Sequence, residues 1–65
     1  EYEFEWEDIS RAFAFLTNTR RRVLLLLYVE GMSQKEVAKK LGISVQRVSK
    51  IKQDALFALK EMLED

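Results

Sequence analysis

Residues 33–53 read SQKEVAKKLGISVQRVSKIKQ. Ser33 and Glu36 stand at the Ser-x-x-Glu spacing of a capping box, in which each side chain satisfies a backbone donor at the other's position. That spacing predicts a helix over about residues 34–41. Gly42 follows Leu41, where a left-handed residue commonly ends a helix. Ser44 is a second N-cap, and the helix it opens is expected to reach Leu63. Its apolar stripe is Val48, Ile51, Ala55, Leu59 and then Met62 or Leu63. Two helices that cross steeply through a short turn need a small residue where they approach. They also need a turn residue tolerant of positive φ, and apolar residues facing inward. Ala38, Gly42 and the set Val37, Leu41, Ile43, Val48 and Ile51 meet these needs. No one position is informative, but the seven together specify a helix-turn-helix.

The outward set on the second helix follows from the inward one. Ser44, Val45, Gln46, Ser49, Lys50 and Gln53 are the candidates to face the major groove and read bases. Gln bonds adenine through two groups, Lys or Arg bonds guanine, and Val45 suits the methyl of thymine. Arg20, Arg22, Lys35 and Lys39 are better suited to phosphates, which add affinity without sequence information. Arg47 is expected on the flank of the helix, against the DNA backbone. Taken singly, each of these residues also reads as ordinary solvated surface.

Helix one is expected to start between Trp6 and Asp8, with Asp8 as N-cap or first-turn acid. Trp6, Ile9, Phe13 and Leu16 fall at i, i+3, i+7 and i+10, one helical stripe. Tyr2, Phe4 and Trp6 alternate with glutamates in a strand-like period, so residues 1–5 stay open between helix and extended chain. Helix two is expected over residues 18–30, with Thr17 as N-cap and Gly31 beyond its end. Residues 23–29 are apolar on more faces than one neighbour covers. A central helix packed on both sides is the preferred account, and a leftover patch covered by another protein is the alternative. The fold class is therefore all-α, a small four-helix domain containing a helix-turn-helix. Residues 1–7 are read as an acidic aromatic segment and residues 8–65 as the DNA-binding domain.

Sixty-five residues make one domain at most, and one this small is only marginally stable alone. No proline and two glycines leave little to interrupt helices. The chain has neither histidine nor cysteine. That removes the usual general base, the commonest neutral metal ligand and any disulfide. No Ser-His, Cys-His or glycine-rich phosphate-loop arrangement is present, so neither an enzyme nor a cofactor is expected. The lack of cysteine fits a cytoplasmic protein. The apolar run 23–29 is far shorter than the roughly 20 residues of a membrane span, and no membrane partner is expected. The acidic N-terminus lacks the positive charge of a secretory signal. A first residue of Glu rather than Met reads as a processed or excised piece of something longer, or as an expression product.

The formal net charge of zero hides a segregation. Residues 1–8 hold Glu1, Glu3, Glu5, Glu7 and Asp8, and residues 61–65 hold Glu61, Glu64 and Asp65, with no base in either stretch. Between them lie all eleven bases against Glu30, Glu36 and Asp54, a net of +8. A basic body with acidic ends suits a nucleic-acid partner. The acidic N-terminus is expected to compete with phosphates for that body and to weaken DNA binding, most of all at low salt.

Leu16, Thr17, Arg21, Val23 and Leu24, then the run from Tyr28 through Ala38, then Leu41, Gly42, Ile43 and Ser44, resemble region 4 of bacterial sigma factors. Val48, Ile51, Ala55, Leu59, Lys60 and Leu63 continue the match, which covers about residues 8–63. The resemblance implies a winged-helix-like or sigma region 4 type bundle. It also implies reading of a −35 promoter element on double-stranded DNA and docking on the β flap of RNA polymerase. An anti-sigma or activator protein is a further implied partner. In the family the flap-tip helix sits in a groove lined by the early helices and the helix-turn-helix. In this chain Phe13, Leu16, Leu24, Leu27 and Tyr28 are the candidates to line it.

The LuxR-type regulator domain opens in nearly the same way but favours Val-Lys-x-His and a shorter last helix. Here Val48, Ser49, Lys50 and Ile51 precede a long Ala-x-x-x-Leu-x-x-x-Leu spacing, which is more sigma-like. Housekeeping sigma factors usually carry charged residues, often Arg and Glu, where this chain has Val45, Gln46 and Ser49, so the usual −35 sequence is not to be assumed. The competing readings are a LuxR-type or phage regulator binding operator DNA, and a helix-turn-helix module repurposed for protein–protein interaction.

Overall fold

A computed structural model describes the backbone of residues 6–63 and the side chains of residues 10–63. Helix α1 spans Trp6–Ala14, α2 spans Asn18–Leu24 and continues into a π-helical turn over Leu25–Val29, α3 spans Gln34–Leu41, and α4 spans Val45–Leu63. Among the described residues there is no strand. The fold is thus the expected all-α bundle with a helix-turn-helix at its centre. The helix α1 begins at Trp6, inside the expected interval, and carries Asp8 in its first turn. The acidic aromatic residues 1–5, and the side chains of Trp6 and Ile9 from the expected stripe, lie outside the described residues, as do Glu64 and Asp65.

Each of the three helix starts after α1 carries the cap its sequence calls for. The Thr17 hydroxyl accepts from the Arg20 amide at 3.2 Å. Ser33 and Glu36 close the capping box reciprocally, the Glu36 amide donating to Ser33 Oγ at 3.1 Å and the Ser33 amide to Glu36 Oε1 at 2.8 Å. Ser44 Oγ accepts from the Arg47 amide at 3.1 Å. These bonds satisfy donors that the first turn of a helix otherwise leaves open.

The core is built in two parts on α4, against which α1, α2 and α3 all pack. Val23 and Leu26 meet Val37, Ala38 and Val48, with Leu27, Met32, Leu41, Ile43 and Ile51 packed around them. This part locks the helix-turn-helix to α2. Leu16, Leu24 and Ala55 form the other part, with Phe13, Ala58 and Leu59. It fastens the start of the chain to the far half of α4. The predicted α4 stripe is buried or half-buried at Val48, Ile51, Ala55 and Leu59, and of the last two candidates Leu63 is the more buried.

Three local features differ from the plain periodic reading. The stripe of helix one was expected to be helical through Leu16, but α1 stops at Ala14. The Phe15 and Leu16 amides instead reach back only three residues, to Ala12 and Phe13. Leu16 is buried all the same, delivered by this tight turn. The expected single α-helix over residues 18–30 ends in the π turn, in which the Glu30 amide donates to Leu25 O at 3.0 Å and the Met32 amide to Leu26 O at 3.0 Å. The apolar run 23–29 is packed on both sides, as preferred, and also leaves three residues uncovered: Leu25, Tyr28 and Val29 are exposed. All three lie on the π turn.

Gly42 ends α3 at φ 71°, ψ 33°, with its amide and that of Ile43 both turned onto Ala38 O, the latter at 3.0 Å. A Cβ on Gly42 would meet nothing within 4 Å. The requirement for glycine is therefore backbone strain alone. We expect Gly42→Val to lower unfolding free energy by about 1–3 kcal/mol, and Gly42→Asn by less, because Asn tolerates the left-handed region. Denaturant midpoints check this; equal midpoints for wild type and Gly42→Val would show that the turn carries no strain.

Candidate nucleic-acid interface

The helix-turn-helix places α4 with its buried side turned to α2 and α3. Val48 and Ala55 are buried there and Ile51 is half-buried. The opposite side of the N-terminal half carries Gln46, Ser49, Lys50 and Gln53, spaced i, i+3, i+4 and i+7, which is a single stripe on a helix. Gln46, Lys50 and Gln53 are exposed and Ser49 is half-buried. Val45 is exposed beside them. Ser44 is exposed too, but its oxygen is occupied as the cap of α4, which leaves its hydroxyl proton to donate.

The cations expected at phosphates fall into distinct settings. Lys35 and Lys39 are exposed on α3. Arg22 and Arg47 are exposed and border one groove with Thr19, its apolar floor made by Leu41, Ile43 and Ile51. Arg47 thus stands on the side of α4 that borders this groove. Arg20 is paired with Asp54 of α4 at 4.0 Å, and Lys50 with the same carboxylate at 3.6 Å. Arg21, their neighbour in the run, is structural: its guanidinium donates to Ala14 O at 3.2 Å and to Asn18 Oδ1, tying the end of α1 to the start of α2. Sequence reasoning missed the part played by Asp54. The i,i+4 spacing from Lys50 was a signal for one of its pairs.

Of the residues expected to line a polymerase groove, Leu16 and Leu24 are buried in the core around Ala55, Phe13 and Leu27 are half-buried, and Tyr28 is exposed. The apolar surface actually open on this part of the molecule comes from Phe15, Leu25, Tyr28 and Val29. A further exposed aromatic, Phe57, lies on α4. Leu25, Tyr28 and Val29 are exposed, whereas Val23 and Leu26 are buried and Leu27 is half-buried.

Among the described residues no three of His, Cys, Asp or Glu come together in a way that could hold a metal ion, and no helix is long and apolar enough to cross a membrane. Buried polar or charged side chains are likewise absent among them.

A family model described as sigma-70, region 4 matches residues 12–61. Searches of the curated proteins and of the solved structures return no significant match. The matched span takes in the end of α1, all of α2, α3 and the turn, and nearly all of α4, so it covers the caps, the two-part core and the outward stripe together. With that span matched and the helix-turn-helix built as its residues require, the chain belongs to the sigma-70 region 4 family of non-enzymatic, DNA-binding transcription domains.

Proposed function

We propose that this domain reads a promoter −35-type element through the major groove with the N-terminal half of α4, and docks on the β flap of RNA polymerase. The observation that carries the reading is the stripe Gln46, Ser49, Lys50 and Gln53 on the outer face of the second helix of a helix-turn-helix. Val45 supplies an apolar contact for a thymine methyl at its edge, and Ser44 donates a hydrogen bond from the turn. Arg22, Arg47, Lys35 and Lys39 hold phosphates on either side and set the register. The 19-residue length of α4 supports the sigma reading over the LuxR-type one, whose last helix is shorter. Both partners belong to the cytoplasm, and the domain works there.

For the polymerase, the open apolar face of Leu25, Tyr28 and Val29 replaces the buried Leu16 and Leu24 as the contact surface. Phe13 and Leu27 stand half-buried and add what surface they retain. An apolar flap-tip helix is a suitable occupant, since it meets helix-presented apolar groups at regular spacing. An anti-sigma or activator protein would compete for this face or for the outer side of α4.

Two measurements test this reading. With a duplex selected by the protein from random sequence, Gln46→Ala is expected to weaken binding by about 1–3 kcal/mol and to change binding to random duplex little. Lys39→Ala is expected to weaken both equally and to flatten the salt dependence by about one unit of slope. Equal losses for Gln46→Ala on both duplexes would demote Gln46 to a backbone contact. For the polymerase, Tyr28→Ala and Val29→Asp are expected to abolish pull-down of the isolated β flap while leaving DNA affinity unchanged. A wild-type domain that fails to bind the flap at high micromolar concentration would favour the LuxR-type regulator.

A further inference from the structure

One carboxylate on α4 gathers two cations from two helices. Asp54 Oδ1 lies 3.6 Å from Lys50 Nζ, one helical turn earlier, and Asp54 Oδ2 lies 4.0 Å from Arg20 Nη2 on α2. The Lys50 side chain is 73% exposed and that of Asp54 38%. Pairs as exposed as these contribute little to folding. Their placement matters more than their strength. Asp54 is the single acid of α4 ahead of Glu61, on a helix that carries Arg47, Lys50, Lys52 and Lys60. Of the other two acids between residues 9 and 60, Glu36 is engaged in the capping box of α3, and Glu30 is exposed at the end of the π turn, away from α4 in the sequence.

A carboxylate on a helix that approaches DNA repels phosphate, and this one does so from within ion-pair distance of two cations. A phosphate that takes Lys50 or Arg20 comes up against the carboxylate, and must either share the cation with it or displace it, with the negative charge left beside the duplex in both cases. The pair also steers Lys50. Long side chains on a helix lean toward its N-terminus. A partner four residues later draws the ammonium the other way, away from Gln46 and the turn. Arg22, Arg47, Lys35 and Lys39 form no ion pair among the described residues, so the withheld cations are the two that Asp54 selects.

We propose that Asp54 is a specificity-determining residue. Its carboxylate withholds Lys50 and Arg20 from phosphates, so that arbitrary duplex is held weakly. It releases Lys50 only where a base edge accepts the ammonium in its place. The inference rests on α4 being the base-reading helix. Discrimination then comes from a repulsive group as well as from attractive contacts, which is a general way of rejecting wrong partners.

The test is Asp54→Asn, which keeps the shape and removes the charge, measured on the duplex selected by the wild-type protein and on random duplex across a salt series. Random duplex is expected to bind on the order of tenfold tighter near 50 mM salt, with a salt slope steeper by about one. The selected duplex is expected to gain less, so the preference falls. In the Lys50→Met, Arg20→Gln background the same substitution is expected to change nothing beyond a small uniform gain. Equal gains on both duplexes, no gain on either, or a full gain in that background would each overturn the proposal. A loss of affinity on both with a lowered melting temperature would make Asp54 a structural tie between α2 and α4, and would overturn it too. If the wild-type protein selects no preferred duplex, the reading of α4 fails and the inference with it. A wild-type preference left untouched by Asp54→Asn defeats the inference alone.

Discussion

Val23, Val37 and Val48 have no exposed surface, and they come from α2, α3 and α4 respectively. Three β-branched side chains from three helices meet in one contact, with Ala38 small enough to let the backbones approach. Everything the domain offers to a partner is referred to that contact. It sets the angle between the two helices of the helix-turn-helix, and therefore which side of α4 faces outward. A loss of packing here would cost on the order of 2 kcal/mol for one Val→Ala change, a large share of the stability of so small a domain. The turn at Gly42 and the caps at Ser33 and Ser44 serve the same end: they fix the two helix termini so that the contact can form.

A helix of 19 residues lets one element serve both halves of the core. Its first half closes the helix-turn-helix through Val48 and Ile51, and its second half holds Leu16 and Leu24 through Ala55. The outward stripe is consequently carried on a helix anchored along its length. Flexible surface lysines and glutamines at Gln46, Lys50 and Gln53 thus project from a rigid support, which lowers the ordering cost of presenting them to a groove.

Most of this was legible in the sequence because it rests on short-range rules. The capping box, the glycine stop, the N-cap serine and threonine and the 3.6-residue stripes of α3 and α4 are all local, and the structure has each of them where the residues place it. What was not legible depends on three-dimensional neighbours. Nothing in the run 23–29 says that its helix widens to a π turn. The run Arg20, Arg21, Arg22 looks uniform, yet its members separate into an ion pair with Asp54, a tie to Ala14 and a groove edge, because successive helix positions point about 100° apart. Leu16 and Leu24 looked available to a partner, but the long α4 covers them, a consequence of tertiary contact with Ala55.

One particular face of α4 is proposed to meet DNA. Amide chemical-shift mapping of the labelled domain, titrated with a selected duplex, tests it most directly. The largest changes are expected on residues 44–53, with smaller ones at Lys35, Lys39 and Arg22, and none at Leu25, Tyr28, Val29 or Phe57. Changes concentrated on the π turn and Phe57, with Gln46, Lys50 and Gln53 unmoved, would contradict it.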